Sequence, residues 1–156
     1  MTKKLNIVLV EPEIPPNTGN VARLCANVGA DLHLVKPLGF SIDDKHLKRA
    51  GLDYWHLVAV HIYENFRDFE DKNPTGQRFL ATTKGQRFYS DVQYPAGCYL
   101  LFGRETKGLA PEILNAYPEN QIRLPMRQDA RSLNLSNSVA VVAYEVLRQW
   151  QFPGLI

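Results

Sequence analysis

An α/β fold, with a mostly parallel six-stranded sheet and helices on both faces, is predicted by three features of the chain. Short apolar runs of strand length alternate with amphipathic stretches, the length of 156 residues suits one domain with its own core, and three polar, glycine-bearing loops each follow a predicted strand. Strands separated by helices must be joined by crossovers, and crossovers give parallel pairing with both sheet faces covered. A single domain spanning 1–156 is expected, because no internal repeat, low-complexity tract or linker divides the chain; "KNPTG" at 72–76 reads as a turn between elements.

The strands are expected at 5–10, 32–35, 58–62, 79–82, 99–102 and 121–124, mostly bounded by turn residues. In the first helix Val21, Leu24, Cys25 and Val28 recur at i, i+3, i+4 and i+7, Asn17 stands where a cap belongs, and Gly29 follows as the stop. Ser41 can cap a helix running to 49, while 65–72 and 111–116 are shorter helical stretches, the second opening on proline. In the last helix, 136–150, a core stripe of Val139, Val142, Ala143, Val146, Leu147 and Trp150 is joined by Ala140, Val141 and Tyr144 on other faces. A helix apolar on more than one side is buried on more than one side. Either the monomer encloses this helix or a second subunit covers it, and a homodimer is the expectation carried forward.

Composition excludes more than it names. A hydrophobic fraction of 45% and a charged fraction of 22% are those of an ordinary folded protein, and a net charge of +2 permits a nucleic-acid partner without requiring one. Cys25 and Cys98 form no C-x-x-C pair, so no redox motif or structural zinc site is indicated. The start, "MTKKLNIVLVEPEIPP", has too short an apolar run for a signal peptide or membrane span, so a cytoplasmic protein is expected, and the "NLS" at 134–136 is not read as a glycosylation site. "GRETKGL" at 103–109 approaches a P-loop, but Leu109 stands where the phosphate-binding lysine belongs, which argues against ATP or GTP hydrolysis. No G-x-G-x-x-G follows the first strand, and the four histidines form no H-E-x-x-H pair, so neither a dinucleotide nor a catalytic metal is expected.

What remains is "PPNTGNVAR", "FGRETKGL" and "LPMRQDARSLNLSNS", each at the C-terminal end of a predicted strand, the edge where ligands bind in open parallel sheets. Singly each also reads as a turn and helix cap. They hold no acidic pair, Ser-His couple or activated cysteine, so hydrolysis has no actors.

In order, the loops resemble the SPOUT class of RNA methyltransferases, specifically the small single-domain SpoU-type enzymes that methylate the ribose 2′-hydroxyl at the tRNA wobble position. The resemblance covers nearly the whole chain and rests on Asn17, Gly19, Asn20 and Arg23; on Phe102, Gly103, Glu105, Gly108 and Leu109; and on Ile122, Leu124 and Pro125 followed by Ser132, Leu133, Asn134, Leu135 and Ser136. "EPEIPPNTGN" and "KRAGLDY" at 48–54 point to the wobble subgroup. Arg104 departs from the proline or small residue that relatives often carry, leaving the glycines and glutamate intact.

The resemblance implies S-adenosylmethionine as methyl donor with no metal, a deep C-terminal trefoil knot, and two subunits joined so that each active site draws on both. Carried over residue by residue, it places the donor against Ala81, Thr82, Gly103, Gly108, Ile122, Leu124, Ser132 and Leu133, and makes Arg23, Asn17, Ser132, Asn134 and Glu105 the catalytic set. Glu105 is expected to support loop geometry. A guanidinium stays protonated in proteins, so Arg23 is expected to orient the ribose and stabilise the developing alkoxide, the proton leaving to a phosphate oxygen, water or Ser132. Arg104, Lys107, Arg127 and Arg131, with Arg123, supply a basic rim for tRNA phosphates that Lys45, Lys48 and Arg49 could extend. The alternatives are an RNA-binding protein of the same fold without transfer activity, an enzyme acting on another tRNA or rRNA site, and a flavodoxin-like nucleotide binder, which flavin absorbance or ATP affinity would reveal.

Overall fold

The computed structural model describes residues 3–43, 45, 54–130 and 132–156. In chain order the described elements are β1 (Asn6–Val10), α1 (Pro15–Val28), β2 (Asp31–Val35), β3 (Val60–Tyr63), α2 (Phe66–Lys72), β4 (Arg78–Ala81), β5 (Arg87–Phe88), β6 (Tyr99–Phe102), α3 (Pro111–Ala116), β7 (Gln121–Arg123) and α4 (Leu135–Gln149). The strands form one sheet in the order β3-β2-β1-β6-β4-β7-β5, every neighbouring pair parallel. The α/β class and parallel pairing agree with the sequence; the strand number does not. The described residues form seven strands, not six, because β5 is a two-residue strand with both side chains exposed and so shows no apolar alternation. The third strand is also displaced from the expected 58–62, since the Val58 N–H closes a turn onto the Trp55 carbonyl before β3 begins.

Each strand of the sheet centre is buried on both faces, which is why β1 reads as an unbroken apolar run. On one face Ile7, Leu9, Leu32 and Leu100 meet Val21, Ala22 and Cys25 of α1 and Val139, Val142 and Ala143 of α4, and the two helices pack against each other. On the other, Val8, Val10, Leu80 and Leu101 meet Phe69 of α2 and Ile113 of α3. The cysteines are free and buried, and burial pushes the Cys98 thiol up to about 12, so neither is poised as a nucleophile.

Helix α1 begins at Pro15, ahead of the expected start, and Asn17 is not its cap. Proline suits the first helical turn, where its missing N–H has no partner to lose, so Asn17 falls inside that turn with its side chain buried. The helix ends at Gly29 as expected, with φ 77° and its N–H on the Cys25 carbonyl. Helix α4 starts at Leu135, capped by the Asn134 side chain, which accepts from the Asn137 N–H at 3.2 Å. The helix expected over 41–49 lies largely outside the described residues.

Buried polar groups knit the β1 to β3 side. The Asn6 amide donates to the Cys98 carbonyl, so its oxygen accepts from His33 Nε2 at 3.0 Å, and His33 Nδ1 then accepts from the Tyr63 hydroxyl at 2.7 Å. His33 is thereby held neutral, and burial lowers its pKa to about 4. The unfolded chain takes up this proton below about pH 6.5 while the folded chain resists until about pH 4, so acidification between these values favours unfolding by on the order of 3 kcal/mol. Urea unfolding from pH 7 to 4.5 should show this loss, and His33→Gln should flatten it while lowering stability at pH 7.

Candidate active site

Because β4, β6 and β7 are parallel neighbours, their C-terminal ends share one edge of the sheet, and the loops leaving them converge there. They enclose a cavity of about 650 Å³ lined by residues 81–84, 102–109, 124, 126 and 132–135, with Ile14, Asn17, Leu114 and Ser138 completing the wall. The volume suits a nucleoside-sized ligand, and the lining mixes apolar side chains (Leu109, Leu124, Leu133) with hydroxyls, amides and open backbone.

The loop after β6 doubles back on itself. Arg104 and Gly108 exchange two backbone hydrogen bonds, of 3.2 and 2.8 Å, and this brings Gly103 so close to Gly108 that a Cβ there would lie 2.1 Å from the Gly108 carbonyl carbon. From that hairpin the Glu105 carboxylate reaches the start of α1. It accepts from the Glu13 N–H at 2.9 Å, the Ile14 N–H at 2.6 Å and the Asn17 amide at 3.4 Å, occupying helix-entry donors that no side chain of α1 itself caps. Glu13 reciprocates by accepting from the Thr106 hydroxyl at 2.8 Å and its N–H at 3.2 Å, and these bonds hold the Glu13 carboxyl below its usual range. Arg104 adds an ion pair with Glu11 at 3.0 Å. On the far side Asn17 accepts from the Asn134 amide at 3.1 Å. Asn134, Asn17 and Glu105 therefore form one chain of polar contacts joining the cap of α4, the first turn of α1 and the loop after β6. Glu105→Gln would in either orientation set its NH2 against at least one backbone N–H, that of Glu13 or of Ile14, so it is expected to cost about 1–3 kcal/mol in chemical unfolding.

Of the residues singled out in the sequence, Asn17, Ala81, Thr82, Gly103, Arg104, Glu105, Lys107, Gly108, Leu124, Ser132, Leu133 and Asn134 line this one cavity. Ile122 does not: its side chain is fully buried in β7, and its carbonyl accepts the Thr82 N–H at 2.9 Å, tying two cavity segments together. Arg23 is exposed on α1 and outside the lining, its guanidinium carbon 4.9 Å from the Tyr54 ring centroid. Arg127 and Arg123 are exposed outside the lining, flanking Leu124 and Met126, and Lys45 is exposed. Arg131, Lys48 and Arg49 lie outside the described residues, as does most of "KRAGLDY".

Thr83, Lys84, Thr106, Met126 and Ser138 also line the cavity and were not singled out in the sequence. The available signal was the polar run "TTKG" directly after a strand, which forms a turn in which the Thr82 hydroxyl accepts the Lys84 N–H at 3.2 Å. Among the described residues the one group of metal-ligating type is Asp31, His33 and His61 on β2 and β3, away from this cavity, and both ring nitrogens of His33 are engaged by Tyr63 and Asn6.

A family model described as the SpoU rRNA Methylase family matches residues 4–144. A relative from Yersinia pestis named tRNA (cytidine(34)-2'-O)-methyltransferase is 56% identical over 97% of this chain and 98% of its own length. One of the same name from Escherichia coli (strain K12) is 54% identical over 97% of this chain and 98% of its own length. A structure solved in work on the 2-OH methylation of C/U34 on tRNA superposes with a TM-score of 0.92 at 41% identity, covering 96% of this chain and 97% of that one.

Proposed function

The chain belongs to the SpoU methylase family, and from that premise we propose that it transfers a methyl group from S-adenosylmethionine to the ribose 2′-hydroxyl of the wobble nucleotide, cytidine or modified uridine, in the tRNA anticodon loop. The observation that carries this reading is the convergence of residues 81–84, 102–109, 124 with 126, and 132–135 on one cavity at the C-terminal edge of the sheet. Full-length relatives more than 50% identical, named for cytidine 34, support the choice of site.

The residues present fit the donor. The Gly103 to Gly108 hairpin exposes backbone, Leu124 and Leu133 offer an apolar wall, and Thr82, Ser132 and Asn134 offer polar contacts. S-adenosylmethionine brings a methyl group already activated by its sulfonium, so this chain's residues have to orient the ribose, exclude water and dispose of one proton. Ser132 and Asn134 hold the donor or the hydroxyl, Glu105 keeps the donor loop and α1 in fixed relation, and Arg23 faces the ribose as a permanent cation. Lys84, Lys107, Arg127 and Arg131 take the tRNA phosphates.

The working unit in this reading is a homodimer. Val141 and Tyr144 leave an apolar strip of α4 exposed, at 40% and 46%, which a second copy would cover; static light scattering should give the mass of two chains. The C-terminal trefoil knot belongs to the same reading, supported by β7 lying between β4 and β5, two strands that follow each other directly in sequence. No helix among the described residues is long and apolar enough to cross a membrane, and a tRNA substrate puts the work in the cytoplasm.

Purified protein mixed with labelled S-adenosylmethionine and total tRNA, then nuclease digestion and mass spectrometry, should place the label on the 2′-oxygen of nucleotide 34. Label at another nucleotide would reassign the substrate, and RNA binding without label transfer would leave a binding protein.

A further inference from the structure

We propose that Phe88 and Arg123 form a stacking platform for a nucleobase next to the methylated nucleotide, with Lys84 receiving its phosphate; this rests on reading the protein as a tRNA methyltransferase. The parallel pairing of β5 with β7 sets Phe88 opposite Arg123, and the guanidinium carbon lies 5.4 Å from the centroid of a ring that is 39% exposed. A lone exposed aromatic is ordinary. This one stands apart by its charge setting, its position and its chemistry.

Several cations elsewhere on the molecule sit against carboxylates, Lys4 with Asp31, Lys36 with Glu64 and Arg148 with Glu145, and others such as Lys3 and Arg23 lie over aromatic rings. Lys84, Arg87 and Arg123 have no carboxylate partner among the described residues, and Arg87 donates only to the Glu119 carbonyl. Unneutralised cations on the edge strand, in the turn before it and on the neighbouring β7 are an electrostatic match for a phosphodiester chain. The position ties the patch to the chemistry, because Lys84 lines the donor cavity and so does Leu124, the residue after Arg123. A ring topped by a guanidinium offers a flat, polarisable surface that accepts any base, as a site for an unpaired loop nucleotide requires. β5 thus serves as a shelf beside the cavity mouth, which accounts for an aromatic side chain on a strand that contributes nothing to the core.

The test is binding of a fluorescently labelled anticodon stem-loop RNA to the full-length protein, alongside steady-state methylation. Phe88→Leu keeps apolar bulk and removes the π face; it should weaken RNA Kd and raise KM for RNA about 5- to 50-fold, leaving S-adenosylmethionine affinity and kcat at saturating RNA unchanged. Phe88→Trp should restore parental binding. Unchanged RNA affinity in Phe88→Leu, or a loss accompanied by a halved mass in light scattering, would overturn the platform. If Phe88→Leu loses RNA affinity but the parent places no methyl group on nucleotide 34, the platform stands and the assigned activity falls.

Discussion

An Arg23→Lys variant is expected to bind S-adenosylmethionine as the parent does and to turn over about 10²- to 10³-fold more slowly. Arg23 does not line the cavity, so its replacement leaves donor contacts alone. What it alters is the shape of the cation. The guanidinium is planar and stacks over Tyr54, which holds it at a defined place on the exposed side of α1, whereas an ammonium on a flexible stem is neither flat nor held in that way. Positioned charge stabilises a developing alkoxide only when it needs no reorganisation, so a mobile cation of the same sign recovers little of the effect. Since the guanidinium never releases its proton near neutral pH, the pH dependence of kcat should keep its shape in the variant while its height drops. Calorimetric titration with S-adenosylmethionine and single-turnover methylation separate the two effects, and unchanged turnover would remove Arg23 from the chemistry.

Whether Arg23 could serve the cavity of its own chain was not readable from the motif that contains it. Helical spacing states which face a residue occupies, but not what that face meets. By contrast, the convergence of the loops was readable, because parallel strands put every loop that leaves their C-terminal ends on one edge, and "FGRETKGL" and "SLNLSNS" were recognisable as such loops. The cap reading of Asn17 failed for a local reason: "PP" before it resembles a loop, yet proline opens the helix, and the N–H groups of Glu13 and Ile14 that lead into it are satisfied by Glu105, some ninety residues away. A cap delivered from that distance leaves no local pattern. β5 escaped because two exposed residues cannot display a period, and β3 was displaced because the apolar residue at 58 closes a turn before the strand starts. Burial patterns therefore carried the core strands, whereas contacts between distant loops needed the folded chain.

Gly103→Ala should abolish measurable donor binding while leaving the protein folded. The added methyl would sit 2.1 Å from the Gly108 carbonyl carbon and 2.2 Å from the Leu109 nitrogen, both backbone atoms that cannot rotate away, so the hairpin itself has to open. Opening it displaces residues 104–108 from the cavity wall and strains the Glu105 contacts to α1, but the sheet core beneath, Leu100 and Leu101, is untouched. Circular dichroism should remain that of the parent, with S-adenosylmethionine affinity reduced at least about 100-fold if the clash costs 3 kcal/mol or more in the binding-competent loop. The variant also resolves where Arg23 acts. Gly103→Ala and Arg23→Lys chains are each inactive as homodimers, one lacking a donor site and the other the arginine. If each cavity uses the arginine of its own chain, co-refolding the two yields nothing. If the cavity of one protomer is served by Arg23 of its partner, every mixed dimer contains one complete site, and random pairing, which makes half of the dimers mixed, returns about a quarter of parental activity. Recovery at that level would establish the shared site, and its absence would confine the chemistry to single chains.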